Sequence, residues 1–181
     1  MMKKTDIFKV IPYTKEIQEK FSCEFDCGND HISNFLRSSL ALNDSFGKTY
    51  ISVSEESEKV IGYYNISMGY IESCYDKLPV RLGGAVHINY FAVDRDWQKK
   101  NIANKFYISD MLLNDCIERV MFIRKNYVGC AFITLASTEE GYNLYCRNGF
   151  EELEAEDMTF TPNESEKSGG TYMYFALETE E

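Results

Sequence analysis

The chain has 181 residues, 44% of them hydrophobic, and a formal net charge of −10 at pH 7. This length predicts a single domain, residues 1–181, with a core large enough to need no disulfide or metal. No apolar run reaches the roughly 18 residues of a membrane span, and no apolar segment follows the N-terminal lysines, so we expect a cytoplasmic protein without a secretory signal.

The negative charge is concentrated in residues 139–181, which carry 12 acidic and 2 basic residues. Phosphate contacts depend on Lys and Arg, so this acidity argues against a surface that binds nucleic acid throughout. The six cysteines lie in apolar runs. They therefore predict buried free thiols rather than disulfides or a zinc site.

The first half of the chain predicts one strand, one helix and a hairpin. Residues 7–11 (IFKVI) have strand character, and Asn29 or Asp30 can cap the helix that follows. Segments 49–56 and 59–73 are rich in β-branched and aromatic residues on either side of a polar turn. This pattern is typical of an antiparallel hairpin.

In the middle of the chain, residues 78–84 (LPVRLGG) predict a loop, and residues 86–93 (VHINYFAV) predict a strand. A polar turn leads from this strand to a helix that we expect to begin near Ile102. Its apolar residues recur mostly three or four positions apart and predict one buried face, made of Ile102, Phe106, Leu113, Cys116, Ile117 and Val120.

The last third predicts a strand at 130–137, a short helix at 138–148 that ends at Gly149, and closing strands within 150–160 and 169–178. With the elements before them, these predict an α/β domain with a mixed sheet and helices on both faces.

Two motifs lie on either side of the strand at 130–137. The first is Gln98-x-x-Asn101-x-Ala103 at the expected helix start, and the second is Tyr145-x-x-x-Gly149-Phe150. Together they resemble the GNAT (Gcn5-related) N-acetyltransferase family. The resemblance implies a mostly antiparallel central sheet of six to seven strands with helices on both faces.

The segment Phe25-Asp26-Cys27-Gly28, with Phe35 and Leu36 behind it, is similar to a GNAT subgroup that includes toxins of toxin–antitoxin pairs. These toxins acetylate the amino acid carried on tRNA. The implied partners are acetyl-CoA, an aminoacyl-tRNA, a ribbon-helix-helix antitoxin and a second copy of the chain, with no membrane.

The resemblance implies acetyl-CoA as co-substrate and no metal. The main chain at 91–93 would hold the pantetheine arm, and backbone N–H groups at a helix start would hold the pyrophosphate, with charge added by the two lysines. The implied cofactor-binding residues are Phe91, Ala92, Val93, Gln98, Lys99, Lys100, Asn101, Ile102, Ala103 and Asn104.

Tyr145 is the implied catalytic residue, a general acid for the departing CoA thiolate. No strong general base is evident, and His31 and His87 are each expected to be packing or surface residues. An α-amine needs less help from a base than a lysine side chain, because its pKa is about 7.7–8.0. This favours an aminoacyl acceptor.

Asn101 stands where the family has its first motif glycine. Asn tolerates a positive φ better than other non-glycine residues, so we expect Asn101 to form the left-handed turn of the phosphate site. Two alternatives remain open. The acidic C-terminal region favours a small cationic or peptide amine as acceptor, and Asn101 raises the hypothesis of a non-catalytic CoA-binding module.

Overall fold

The computed structural model describes residues 9–54, 57–102, 106–153, 157–160 and 170–177. These residues form two compact units. The first contains Met1–Asn65 and Tyr90–Cys116, and the second contains Ile66–Asn89 and Ile117–Glu181. The sequence prediction of a single domain stays a prediction.

The first unit begins with strand β1 (Val10–Pro12), helices α1 (Lys15–Phe21) and α2 (Asp30–Arg37), a short 3-10 helix (Ser39–Leu42) and strand β2 (Lys48–Ser54). The predicted N-cap is confirmed, because the Asn29 side chain accepts a hydrogen bond from the Ile32 backbone N–H. Buried apolar side chains from these elements, from the segments that connect them and from the two strands described next form the core of this unit. They are Tyr13, Phe25, Phe35, Leu36, Ala41, Ile51, Val60, Tyr63 and Ala92.

Two long strands contribute residues to both units. They are β3 (Lys59–Tyr75) and β4 (Leu78–Val93). Beyond β4 come a two-stranded ribbon of β5 (Asn101–Ile102) and β6 (Phe106–Tyr107) and the helix α3 (Ile108–Asn126).

The second unit continues with β7 (Phe132–Ser137), α4 (Glu139–Arg147), β8 (Glu151–Glu152), β9 (Asp157–Phe160) and β10 (Thr171–Ala176). The hydrogen-bonded strand order is β1-β2-β3-β4-β7-β10-β8, with β9 paired to β3. In the described residues β4 pairs with β7 in parallel, whereas the pairs β1–β2, β3–β9, β7–β10 and β8–β10 are antiparallel. The predicted mixed, mostly antiparallel sheet is thereby confirmed.

The prediction of a loop at 78–84 is wrong, because these residues form the first part of β4. The turn lies earlier, at Asp76 and Lys77, whose φ values are 48° and 67°. Two successive positive φ values are typical of a tight hairpin turn, which usually contains glycine or asparagine. The two glycines of LPVRLGG are typical of a loop, and the prediction therefore placed the turn too late in the chain.

The predicted helix start near Ile102 is also wrong. Ile102 lies in β5, and the helix begins at Ile108. Leu113, Cys116 and Val120 form the expected buried face, whereas Phe106 is 61% exposed in β6. All six cysteines are free as predicted, but only Cys116 and Cys130 are buried.

Candidate acetyl-CoA and acceptor site

The turn after β4 is organised around the carboxylate of Asp94, which is buried. Its Oδ1 accepts the backbone N–H of Asp96 at 2.9 Å, and its Oδ2 accepts the backbone N–H of Asp26 at 3.0 Å. The backbone carbonyl of Asp94 accepts N–H groups from Trp97 and Gln98 at 2.8 and 3.0 Å. One residue therefore closes the turn and joins it to the segment before α2.

The FDCG segment (25–28) and the turn after β4 (94–100) are hydrogen bonded at several points. The Arg95 N–H donates to the Asp26 carbonyl at 2.9 Å, and the Arg95 guanidinium lies 3.4 Å from the Asp26 carboxylate. Gly28 has φ of +93°, and a Cβ there would lie 3.2 Å from the Arg95 side chain. Two of the three stretches that carry the sequence resemblance thus form one local structure.

Gln98 makes a further link between the two segments. Its side-chain amide donates to the carbonyls of Cys27 and Val93, both at 2.8 Å. These two bonds fix the turn against the end of β4 and against the start of α2. The Gln98 side chain therefore positions the backbone of the turn. The part of Gln98 that is left to contact a ligand is its main chain.

The left-handed residue of the turn is Lys99, with φ of 59°. Asn101 instead lies in the extended strand β5, paired with Tyr107. The prediction that Asn101 adopts a positive φ is therefore wrong. The predicted helix N-terminus at this position is absent as well, since Asn101 and Ile102 are in β5. Ala103 and Asn104 lie outside the described residues.

The main chain at 91–93 forms the last residues of β4. Ala92 and Val93 are buried, and Phe91 is partly exposed. Gly62 on β3 allows a close approach here, because a Cβ at that position would lie 2.7 Å from the Ala92 carbonyl. Gly62 could not be identified from the sequence, because a glycine inside an apolar strand does not show which residue of another strand lies against it.

In the second unit, α4 presents Tyr145. The Thr138 side chain caps this helix through the Gly141 N–H, and its C-terminus has a Schellman pattern. In that pattern the Gly149 N–H bonds to the Cys146 carbonyl, and the Phe150 N–H bonds to the Tyr145 carbonyl, both at 3.1 Å. Gly149 has φ of +87°, so the predicted helix end is confirmed.

The Tyr145 ring is buried and packs edge-on against Phe150, with centroids 5.6 Å apart. Gly141 leaves room for it, because a Cβ there would lie 3.2 Å from the Tyr145 ring. An alanine at position 141 would therefore press on the Tyr145 ring.

No protein-family model and no curated protein sequence matches the chain. Solved structures do match. A structure described as a bacterial toxin is 25% identical with a TM-score of 0.72, covering 94% of this chain and 90% of that one. A tyrosine-to-phenylalanine mutant of the AtaT toxin, bound to the C-terminus of the antitoxin AtaR and acetyl-CoA, is 18% identical. Its TM-score is 0.67, with 94% of each chain covered.

AtaT complexed with acetyl-methionyl-tRNAfMet is 19% identical with a TM-score of 0.63, covering 84% of this chain and 94% of that chain. The chain has the GNAT fold. The resemblance predicted from the sequence is confirmed at the level of the fold, and the match extends along nearly the whole chain.

Within this GNAT fold, the two histidines differ in their surroundings. His87 on β4 is buried, and its Nδ1 lies 2.9 Å from the Thr134 Oγ1 on β7. Burial lowers the pKa of His87 to about 4, so the imidazole is neutral at pH 7. His87 is thus a packing residue, as expected from the sequence.

His31, the second residue of α2, is exposed, and its Nε2 lies 3.2 Å from the Tyr90 hydroxyl. The Tyr90 ring in turn stacks on Phe35, with centroids 3.8 Å apart. This pair could not be predicted from a local motif, because the two residues are 59 positions apart.

The described residues contain no group of three or more His, Cys, Asp or Glu side chains arranged to hold a metal ion. In the same part of the chain, no helix combines the length and apolar character required to cross a membrane.

Proposed function

We propose that the chain is an acetyl-CoA-dependent N-acetyltransferase whose acceptor is the α-amine of an aminoacyl-tRNA, acting as the toxin of a toxin–antitoxin pair. The observation that carries this proposal is the near full-length match to AtaT, a toxin solved with acetyl-CoA and with acetyl-methionyl-tRNAfMet. The FDCG segment, which carries the subgroup resemblance, supports it by its bonds to the motif turn.

In the proposed reaction the amine nitrogen attacks the thioester carbonyl carbon of acetyl-CoA. The tetrahedral intermediate then collapses, the C–S bond breaks, and the electron pair stays on sulfur. Tyr145 is proposed as the general acid that protonates the departing thiolate. A phenol suits this role because its ordinary pKa of about 10 keeps the proton on the oxygen at neutral pH.

The main chain of Phe91, Ala92 and Val93 is proposed to hold the pantetheine arm like an added strand. The parallel pairs of β4 with β7 run from Ala85 to Ile88, and β4 continues to Val93. A backbone N–H in this stretch would stabilise the oxyanion of the intermediate.

The pyrophosphate is proposed to bind residues 98–104, through backbone N–H groups and the side chains of Lys99 and Lys100. Lys100 has its Nζ 4.9 Å from the centre of the Trp97 ring, which limits where that ammonium can lie. Because the helix begins only at Ile108, the donors of residues 98–102 belong to a turn and a strand rather than to a helix start.

Cell-free translation with labelled acetyl-CoA tests the proposal. We expect acetylated aminoacyl-tRNA and loss of translation with the wild type. Tyr145→Phe should lower kcat by about 10²-fold or more and leave acetyl-CoA binding unchanged, because the ring can still pack on Phe150.

Tyr142→Phe is the matched control, since Tyr142 lies one turn earlier on α4 and donates to Glu152. It should keep the wild-type kcat. The absence of labelled aminoacyl-tRNA would refute the acceptor, and full activity of Tyr145→Phe would refute the acid.

Three further parts of the proposal follow from the same likeness. They are a ribbon-helix-helix antitoxin, a homodimer and a cytoplasmic location. The first is supported by the AtaT–AtaR complex, which shows a toxin of this fold bound to its antitoxin. Protection of translation by the product of a neighbouring reading frame would test it.

A small-molecule or peptide amine is the second candidate acceptor, favoured by the 12 acidic residues within 139–181. A panel of polyamines, amino acids and peptide N-termini with detection of released CoA thiol separates the two. A non-catalytic CoA-binding module would bind acetyl-CoA in calorimetry and show no turnover with any acceptor.

A further inference from the structure

No strong general base for the proposed acetyl transfer is evident in the sequence, but the fold brings together a pair of side chains that could supply one. His31 lies on α2 and Tyr90 on β4, and the His31 Nε2 is 3.2 Å from the Tyr90 hydroxyl. We infer that Tyr90 and His31 form a proton relay that deprotonates the acceptor amine. This inference rests on the proposed function.

The position of Tyr90 along the chain supports this inference. Tyr90 immediately precedes Phe91, Ala92 and Val93, the main chain proposed to hold the thioester. A side chain on this strand is therefore within a few ångströms of the backbone that would meet the acetyl group. Tyr90 is partly exposed, and its hydroxyl lies against the exposed His31.

The relay is also held rigidly. The Tyr90 ring stacks on Phe35 at 3.8 Å with an interplanar angle of 14°, and Phe46 packs beside it at 6.3 Å. Phe35 and His31 are one helical turn apart on α2, whose start is capped by Asn29. A fixed ring and a capped helix fix the geometry between the hydroxyl and the imidazole, which proton transfer requires.

The start of α2 is in turn tied to the turn after β4. The carbonyl of Cys27 accepts from Gln98, and the N–H of Asp26 donates to Asp94. The residues that organise the proposed pyrophosphate turn therefore also position the helix that carries His31. This gives the FDCG segment a role in placing the base.

Protons and electrons balance through the relay. As the amine nitrogen forms its bond to the carbonyl carbon, it passes one proton to the Tyr90 oxygen while Tyr90 passes its own proton to the His31 Nε2. Tyr145 supplies a proton to the CoA sulfur as the C–S bond breaks. The imidazolium of His31, which is exposed, then loses its proton to solvent, and the Tyr145 phenolate regains one.

The test measures steady-state transfer from labelled acetyl-CoA to bulk aminoacyl-tRNA with four variants of the full chain. His31→Ala and Tyr90→Phe should each lower kcat by about 10²-fold with an unchanged KM for acetyl-CoA. Added imidazole should restore part of the rate of His31→Ala. The double variant should be no slower than the slower single variant, because both remove the same relay.

Tyr63→Phe is the matched control. Tyr63 belongs to the same aromatic cluster and donates to the Ile32 carbonyl, so the same substitution removes a hydroxyl outside the relay. It should keep the wild-type kcat even where it lowers Tm.

The outcomes separate the two proposals. An active wild type with equally active His31→Ala and Tyr90→Phe overturns the relay alone. Loss in His31→Ala without imidazole rescue, or equal loss in Tyr63→Phe, assigns the cluster to folding and also overturns it. A wild type that transfers no acetyl to aminoacyl-tRNA overturns the relay together with the proposed function.

Discussion

The turn after β4 and the end of α4 carry the two motifs of the resemblance, yet they differ in how they are held. The end of α4 is fixed by bonds between residues within five positions of each other, Gly149 to Cys146 and Phe150 to Tyr145. The turn after β4 is fixed by Asp94 and Gln98, whose bonds reach Asp26 and Cys27 across 68 and 71 positions. Local bonds can be inferred from a short motif, whereas distant ones cannot.

The largest effect is expected for Asp94→Ala, which tests whether the turn depends on distant contacts. It leaves two backbone N–H groups, those of Asp26 and Asp96, without their charged acceptor. Hydrogen bonds to charged groups contribute about 1.5–3 kcal/mol each, so the loss of two should lower the free energy of unfolding by about 3–6 kcal/mol. Urea denaturation measures this.

Acetyl-CoA affinity of Asp94→Ala should fall as well, because the substitution frees the proposed pyrophosphate turn. Asp96→Ala is the control, since the Asp96 side chain pairs only at the surface with Lys59 at 3.4 Å. Its effect on unfolding should stay below about 1 kcal/mol. Equal effects of the two variants would contradict the central role of Asp94.

Gln98→Leu should have the next largest effect. It removes two donors, to Cys27 and Val93. At about 1 kcal/mol for each neutral hydrogen bond, the free energy of unfolding should fall by about 2 kcal/mol. Gln98→Glu replaces those donors with a carboxylate facing two carbonyls and should lower it further. Wild-type stability in both variants would assign Gln98 to direct ligand contact instead.

The same contrast explains how much the sequence could predict. The N-cap at Asn29 or Asp30, the C′ residue Gly149 and the apolar strand at 130–137 depend on neighbouring residues, and all three were predicted. The helix start at Ile108 and the left-handed Lys99 depend on how Asp94 and Gln98 fold the turn. The family motif has a glycine at the position of Asn101, so the resemblance assigned the left-handed turn to Asn101. The bonds of Asp94 and Gln98 cannot be seen in the sequence.

The candidate site divides in the same way. Tyr145 was found because Gly149 and Phe150 follow it at fixed spacing. The Tyr90–His31 pair was missed because its members are 59 positions apart and neither lies in a motif. His31 was weighed only as a lone histidine. His31 has Tyr90 as a partner because α2 packs against β4.

Gly149→Ala tests the locally held region. An alanine at φ of +87° costs about 1–2 kcal/mol, and its Cβ would lie 3.2 Å from the Phe175 ring. We expect a loss of about 2 kcal/mol in the free energy of unfolding, together with a lower kcat because Tyr145 lies in the last turn of α4. Thermal denaturation and transfer assays measure the two effects. Gly129→Ala, where no atom lies within 4 Å of the added Cβ, is the control and should be near neutral.

The smallest effect gives the sharpest contrast, because Lys99→Gly and Asn101→Gly should change stability in opposite directions. Lys99 has φ of 59°, so glycine relieves a left-handed strain of about 1–2 kcal/mol, partly offset by the entropy of the unfolded chain. Asn101 is extended in β5, where glycine costs about 0.5–1 kcal/mol. Urea denaturation without acetyl-CoA should show a gain of up to about 1 kcal/mol for Lys99→Gly and a small loss for Asn101→Gly. The reverse order would restore Asn101 as the left-handed residue of the motif and with it the helix-start geometry expected from the sequence.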